Sequence, residues 1–338
     1  MRKQRWSFRL IAILLLLASR TLWSQNGARQ LNQTAHASPR LHRNIPEVGP
    51  ITPGQASTVS FSFGTIDYPN SPQTVAQAIN KKGEIVGSWG AEINNYRQGL
   101  PAYGFSLRGS SFKKIVYPSA PITVPLGVNS SGEIVGYYSL DPQDNSGHGF
   151  TLVGSKFTSV DYPGTQYTEL VAINKSGEIL TNACFSGVPA CQSYTFQSGT
   201  FSSQIQYPGS SATTAYGIND GGEIVGIYST DSVTWHGFTL ISGTFMTVDY
   251  PGATDTYLTG INNTGQIIGA WDNGGVDPYG NPLTHGFLLD SGTFTSFDSP
   301  YAGVTSTTPF AINDKGVIVG WTVDANDFFL GFAATIGK

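Results

Sequence analysis

The stretch Thr213–Tyr228, TTAYGINDGGEIVGIY, and the stretch His236–Pro251, HGFTLISGTFMTVDYP, together hold one complete unit of this chain. Both are dominated by Val, Ile, Thr, Phe and Tyr, residues that favour short strands over helices. Asn219 is followed three residues later by Gly222, between two apolar runs. That spacing predicts a tight hairpin, because Asn can close an Asx turn and Gly supplies the positive φ. The unit reads as four strands: a ends in Ile218-Asn219, b is GEIVGIY, c is HGFTLISG and d is TFMTVDYP.

The unit repeats. Ile-Asn or Val-Asn recurs at Ile79-Asn80, Val128-Asn129, Ile173-Asn174, Ile218-Asn219, Ile261-Asn262 and Ile312-Asn313, in steps of 49, 45, 45, 43 and 51 residues. Four strands in about 45 residues is the period of a propeller blade. The proline ending strand d stands 11 residues before the next Asn five times and 13 residues once, whereas the b–c stretch varies in length. The b–c stretch is therefore loop and the d–a stretch is framework.

The phase of the repeat predicts the topology. The chain enters on a lone strand d, Phe63–Pro69, and leaves on a strand c, Gly331–Thr335. An open array has no reason to split a unit between its ends, whereas a ring does, because the first strand then covers the last exposed edge. The expected fold is all-β, a six-bladed β-propeller of four-stranded blades over 56–338, closed by the N-terminal strand. Strand a fits the inner position. Two residues before each Asn stand Ala78, Gly127, Ala172, Gly217, Gly260 and Ala311, all small, as converging strands require. Six residues before each Asn stands a threonine, Thr74, Thr123, Thr168, Thr213, Thr256 and Thr307, expected to tie the d–a connection.

Composition narrows the function. The 338 residues include 41 Gly and 19 Pro and are only 12% charged, which is turn-rich and charge-poor. Residues 1–43 carry eight Lys/Arg and no acid, so the rest holds 10 basic and 22 acidic residues, a balance of −12. Such a surface repels phosphate backbones and anionic lipids, which argues against nucleic-acid binding. Residues 1–24, with Arg2, Lys3, Arg5 and Arg9 before an apolar run from Leu10 to Ser19, read as a signal peptide. The alternative is an uncleaved N-terminal membrane anchor. No further transmembrane segment follows, and 25–55 read as a flexible linker. The expected address is secreted, periplasmic or cell-surface, and the expected state is a monomer. Cys184 and Cys191 are the only cysteines, and in an exported chain they are expected to pair as a disulfide closing a small loop.

Candidate ligand-binding residues gather on the b–c loops, whose variability marks them as the place for recognition. They are Trp89 in blade 1, Asp141 and Asp144 in blade 2, Tyr228 in blade 4, and Asp272, Asn273, Asp277 and Tyr279 beside Trp271 in blade 5. Trp321 and Asp324 complete the set in blade 6. Aromatic platforms beside acids and amides suit a sugar ring. Acid clusters also suit calcium, but no loop matches its D-x-[DN]-x-[DN]-G pattern, so no cofactor is expected. His148, His236 and His285 each open strand c in a His-Gly-Phe triplet, and Tyr103, Tyr194 and Leu330 are read in the same slot of the other blades. These histidines lie in separate blades, too far apart to share one ion, so no metal site is expected. Ser229–Trp235 approximates a sialidase Asp-box but is one residue short, and Arg97 and Arg108 are too few for a sialidase clamp. No G-x-S-x-G, H-E-x-x-H or phosphate-loop motif is present, and no catalytic residue is assigned.

The recurring pattern IN-x-x-G-x-IVG, HGF, G-x-F and DYPG resembles the HAF-repeat family of bacterial extracellular repeat proteins, named for a His-Ala-Phe triplet. The resemblance covers about residues 60–338, and departs from the pattern in the blades without the histidine and at Thr181. It implies an exported repeat protein and carries no established activity. The expected function is a binding module for a glycan or a cell-surface macromolecule, engaged through the b–c loop face. The alternatives are a polysaccharide-active hydrolase or lyase using loop carboxylates, and a structural envelope scaffold.

Overall fold

The computed structural model describes residues 59–90, 101–141, 146–188, 190–276, 282–324 and 328–337. The expected signal peptide, the linker, and the candidates Asp144, Asp277 and Tyr279 lie outside these. Every named element is a strand. β1 (Ser60–Ile66) opens the chain, followed by β2 (Gln73–Ile79), β3 (Ile85–Gly90), β4 (Ala102–Arg108) and β5 (Ser111–Ile115). Next come β6 (Ile122–Val128), β7 (Ile134–Ser139), β8 (His148–Val153) and β9 (Lys156–Val160). A third group is β10 (Tyr167–Ile173), β11 (Ile179–Cys184), β12 (Gln192–Gln197) and β13 (Thr200–Phe201). The fourth is β14 (Ala212–Ile218), β15 (Ile224–Ser229), β16 (His236–Ile241) and β17 (Thr244–Val248). The fifth is β18 (Asp255–Ile261), β19 (Ile267–Asp272), β20 (His285–Asp290) and β21 (Thr293–Phe297). The chain ends on β22 (Val304–Ile312), β23 (Val317–Asp324) and β24 (Phe329–Gly337).

These strands form an all-β propeller of antiparallel meanders. Four sheets of four strands stand separately: β10 to β13, β14 to β17, β18 to β21, and β22, β23 and β24 with β1 at the outer edge. The other eight strands form one continuous sheet, where the repeat predicted two blades. The two meanders β2–β5 and β6–β9 are joined there by a single parallel bridge, Ala102 to Ile122. That bridge forms because the backbone N–H of Ala102 donates to the Pro121 carbonyl at the mouth of the neighbouring meander.

β1 pairs with β24 antiparallel over seven residues, from Ser60 opposite Gly337 to Ile66 opposite Gly331. β1, the first strand among the described residues, therefore completes the last sheet. Phe61 and Phe63 pack on Phe297 of the preceding sheet, and Phe63 also on Phe332.

Each Asn turn has one plan. The Asn80 Oδ1 accepts the backbone N–H groups of Lys82 and Glu84, and the same two bonds recur at Asn129, Asn174, Asn219, Asn262 and Asn313. The following glycine has positive φ at all six turns, from Gly83 to Gly316. The Nδ2 then reaches sideways to the next turn's carbonyl: Asn80 to Asn129, Asn129 to Asn174, Asn219 to Asn262, Asn262 to Asn313 and Asn313 to Asn80. At the remaining junction the backbone N–H of Lys175 donates to Asp220 Oδ1 at 2.8 Å. One side chain thus both folds a hairpin and binds its neighbour.

The threonine column does what the sequence predicts. Thr74, Thr123, Thr168, Thr213, Thr256 and Thr307 each accept, on Oγ1, the backbone N–H of the residue six or eight positions earlier, at 2.9–3.1 Å. Each hydroxyl fixes the turn from strand d into the next strand a. The tyrosine of Asp-Tyr-Pro, or its equivalent, then stacks across that junction: Tyr68 on Trp89, Tyr117 on Tyr138, Tyr207 on Tyr228 and Tyr250 on Trp271, with rings within 5° of parallel.

Each inner strand also carries a β-bulge, and it falls on the same residue of each unit. The register slips past Gln77, Leu126, Val171, Tyr216, Thr259 and Phe310, three residues before each Asn. The small residue comes next, and its backbone packs on the neighbouring inner strand. A Cβ on Gly217 would stand 3.1 Å from the Gly260 Cα, and one on Gly127 3.0 Å from the Ala172 Cα.

Cys184 and Cys191 form a disulfide, as expected, at the end of β11. Closing so short a loop contributes roughly 2.5 kcal/mol through chain entropy. Mutation of both cysteines to serine is expected to lower the unfolding free energy by about 2–3 kcal/mol. Urea denaturation with and without reductant measures this, and reductant should leave the double variant unmoved.

Candidate functional site

The b–c loops and the d–a connections share one end of the sheets, and three similar stations stand there. Each starts from a ring on strand b, Tyr138, Tyr228 or Trp271, paired in register with the histidine opening strand c. His148, His236 and His285 lie against those rings with centroids 5.3, 5.3 and 4.7 Å apart. On its other side each imidazole meets the aspartate that follows strand d. The Nδ1 to carboxylate distances are 3.1 Å for His148–Asp161, 2.8 Å for His236–Asp249 and 2.9 Å for His285–Asp298. A hydroxyl on strand d anchors the strand b ring: Ser159 for Tyr138, Thr247 for Tyr228 and Ser296 for the Trp271 indole N–H. Both members of every pair remain at least one-third exposed. A ring nitrogen and a carboxylate are thus held side by side at the surface in three copies.

The other blades fill the slot differently. Tyr103 takes it in the first, with the Lys114 ammonium 3.8 Å from the ring centroid. Leu330 takes it in the last. In the third, the register places Gln192 opposite Ala183 and Tyr194 opposite Thr181, so the slot belongs to Gln192 and not to Tyr194. That register is the one the other units keep, with Tyr194 in the place of their phenylalanine. Because Ala183 offers no ring there, Tyr162 stacks on Tyr194 instead, 4.2 Å away.

Of the loop residues singled out from the sequence, those that are described serve mostly as packing and turn residues. Tyr228 and Trp321 are buried, Tyr228 under Tyr207 and Trp321 in a cluster with Val75, Tyr257 and Phe329. Trp89 and Trp271 are half-buried and serve as stacking partners in the blade junctions. Asp272 is buried too, accepting the Tyr257 hydroxyl and the Gly274 N–H at 3.1 and 2.8 Å. Asn273 and Asp324 accept loop N–H groups, from Gly275 and Phe328, while Asp141 is exposed. The Asp-box-like segment is a turn. The Val233 and Thr234 N–H groups both donate to Asp231 at 2.8 Å and hold its carboxyl down to about 2. Among the described residues, no group of three His, Cys, Asp or Glu could hold a metal ion.

The second feature is a central cavity of about 200 Å³. Its mouth is the collar of Asn turns, rimmed by Lys81, Lys175, Asp220, Asn263 and Asp314. Those rim side chains bind one another: Asn263 Nδ2 donates to Asp220 and Asp314, and Lys81 pairs with Asp314 at 3.4 Å. Below the collar the bulge residues form the wall, among them Gln77, Tyr216, Thr259 and Phe310. Deeper still stand Glu169, Tyr137, Trp321 and Phe329. Glu169 is 3% exposed, and burial pushes its carboxyl up to about 8 while the neighbouring Tyr167 side chain pulls the other way. Burial and the Glu169 charge raise Tyr216 as well. The Tyr216 hydroxyl is buried beside Thr214 without a completed hydrogen bond.

The bulge made this cavity invisible to strand counting. A regular strand would turn alternate residues to the axis, and the extra residue in each unit replaces that set with another. The signal was present as a sixfold column three residues before Asn, whose members are chemically unlike one another.

No family model matches the sequence, and no curated protein does. Among solved structures, AofleA from Arthrobotrys oligospora is similar with a TM-score of 0.50 at 13% identity, over 83% of this chain and 87% of that one. The β-propeller domain of the Trilobed protease from Pyrococcus furiosus gives 0.49 at 8% identity, over 77% and 95%. The six-bladed fucose-recognising lectin of Aleuria aurantia gives 0.46 at 11%, over 79% and 95%. Likeness at such identities concerns the fold alone.

Proposed function

We propose that this chain is an exported six-bladed propeller that binds a glycan, or a glycosylated surface, through repeated stations on its b–c loop face. The carrying observation is the exposed imidazole–carboxylate pair built three times on an aromatic base. A feature present in every blade serves the blade, as the threonine column does. The His–Asp pair is absent from three meanders that fold the same way, so the blade does not need it. Exposed ion pairs are worth only about 0–1 kcal/mol each, which gives stability little reason to repeat one. Paired donors and acceptors beside a ring edge suit vicinal hydroxyls.

Six blades are supported by the single bridge between the first two meanders and by the Asn313 Nδ2 bond to the Asn80 carbonyl, 233 residues away in sequence. Export, and membership of the HAF-repeat proteins, are supported by the disulfide and by the recurring triplet.

Three spaced stations imply avidity, so affinity for a surface should exceed that for a free sugar by a large factor. The full chain is expected to mark a restricted set of glycans on an array. H148A, H236A and H285A should each weaken that binding, and the triple variant should lose at least about tenfold. Unchanged binding by the triple variant, with its melting temperature held within a few degrees, would remove the stations from the function.

A further inference from the structure

The cavity lies at the opposite, Asn-turn end of its strands from the His stations, and it carries a chemistry of its own. Its wall has one deeply buried ionisable carboxyl, Glu169, and among the described residues no Lys or Arg forms an ion pair with it. The cations at the mouth are Lys81 and Lys175, and Lys81 is already paired with Asp314. Tyr216, Phe310, Trp321 and Phe329 line the same cavity as Glu169. Its collar contributes no open amide, because each Asn Oδ1 is bound to its own turn.

A buried carboxyl and a tyrosine hydroxyl without a protein partner on an aromatic cavity wall each cost stability when left alone. The carboxyl and the aromatic walls become favourable together with one class of guest. An organic ammonium ion supplies the charge the carboxylate lacks, and its alkyl groups lie against ring faces that attract cations. A balance of −12 outside the first 43 residues draws cations toward the protein as a whole. An anion would find no counter-charge on the wall. A neutral guest would leave the carboxyl without a counter-charge.

We infer that the central cavity is a binding site for a small organic ammonium ion, held by the Glu169 carboxylate and caged by Tyr216, Phe310, Trp321 and Phe329. The inference does not rest on the glycan reading, which concerns the other end of the sheets.

The site predicts a proton signature. With its carboxyl held up to about 8, Glu169 is about nine-tenths protonated at pH 7 in the empty protein. A cation stabilises the ionised form, so binding at pH 7 should release close to one proton, and at pH 9 about a tenth of one. The groups around Glu169 are Tyr167 on its own strand, Tyr216 on β14 and Tyr137 on β7, with Lys81, Lys175, Asp220 and Asp314 at the rim. Burial and the Glu169 charge hold Tyr216 above the range of the titration.

Choline is the probe and 3,3-dimethylbutan-1-ol its uncharged isostere. Titration calorimetry of the full chain, in two buffers of different ionisation enthalpy, should show choline binding at least tenfold tighter than the alcohol, with proton release at pH 7. E169Q, which mimics the protonated acid and should fold normally, is expected to abolish both the preference and the release. F310A should weaken choline binding and leave the proton stoichiometry intact. Equal affinity for the two probes would overturn the inference, as would no choline binding at millimolar concentration or proton release that survives E169Q. The H148A/H236A/H285A triple variant should bind choline as the parent does, so failure of one site is readable apart from the other.

Discussion

Deletion of residues 59–66 is expected to lower the melting temperature by about 10–20 °C and to raise the apparent mass through new association. β1 contributes Phe61, Phe63 and Ile66 to cores it shares with Phe297, Phe332 and Phe105. Their burial is worth about 5 kcal/mol in total, since a fully buried residue of this size contributes about 1.5–3. At about 2–4 °C per kcal/mol that gives the stated range. Loss of the strand also uncovers β24, leaving a row of unpaired backbone groups for intermolecular pairing. Differential scanning calorimetry and light scattering read both effects, and a peptide of residues 56–69 added in trans should reverse them. An unchanged transition and mass would mean that the last sheet is complete without its first-strand partner.

That partnership was legible because it rests on counting. A lone strand d at one end and a strand c without its d at the other leave one arrangement in which every sheet is finished. The Asn-x-x-Gly turns, the threonine column and the small inner residues were readable for the same reason: each is a local rule repeated six times. The eight-stranded sheet was not readable. It depends on one backbone bond between Ala102 and Pro121, and nothing in either side chain announces it. The third unit misled at Tyr194, because Gln192-Ser193-Tyr194 stands where other units have His-Gly-Phe, so no triplet marks the slot.

The candidate site was legible in half. The three histidines announced themselves by recurrence, but their aspartates were hidden inside Asp-Tyr-Pro, a motif already explained by its turn. The loop aromatics sit deeper than their place next to the loops suggests, for a physical reason. A residue ending strand b beneath a polar loop looks available, yet the tyrosine of the preceding unit already covers Tyr228 at 3.6 Å. Glu169 gave no sequence signal at all. It is one acid among 22, and only closure of the inner strands around it distinguishes it.

Gly226→Val is expected to cost about 3 kcal/mol or more, whereas Thr181→Val, at the equivalent position of the third unit, should be neutral or stabilising. The bulge at Tyr216 brings the inner strand's backbone down onto strand b. A Cβ on Gly226 would fall against the Thr214 carbonyl oxygen, with the Ala215 Cα at 2.7 Å and the Phe238 ring at 2.8 Å. Gly87, Gly136, Gly269 and Gly320 face the same carbonyl in their own units. The obstacle is backbone locked in a bulge, which gives way less than a side chain does, so the penalty sits at or beyond the upper end of ordinary overpacking, about 1–3 kcal/mol. The Gly226→Val midpoint should therefore fall by about 6–12 °C. Thr181 shows that one unit has already adapted: it is fully buried opposite Leu170, and the neighbouring Asn182 and Ser193 carry bonds to the Ala215 backbone. The Thr181 hydroxyl is buried with no hydrogen-bond partner. Valine keeps the branched shape and removes that unmet group, which costs about 1–3 kcal/mol when left unpaired. Thermal melts of the two variants beside the parent decide the matter. A Gly226→Val protein as stable as the parent would mean that the bulges yield, and that the glycine column is not a consequence of them.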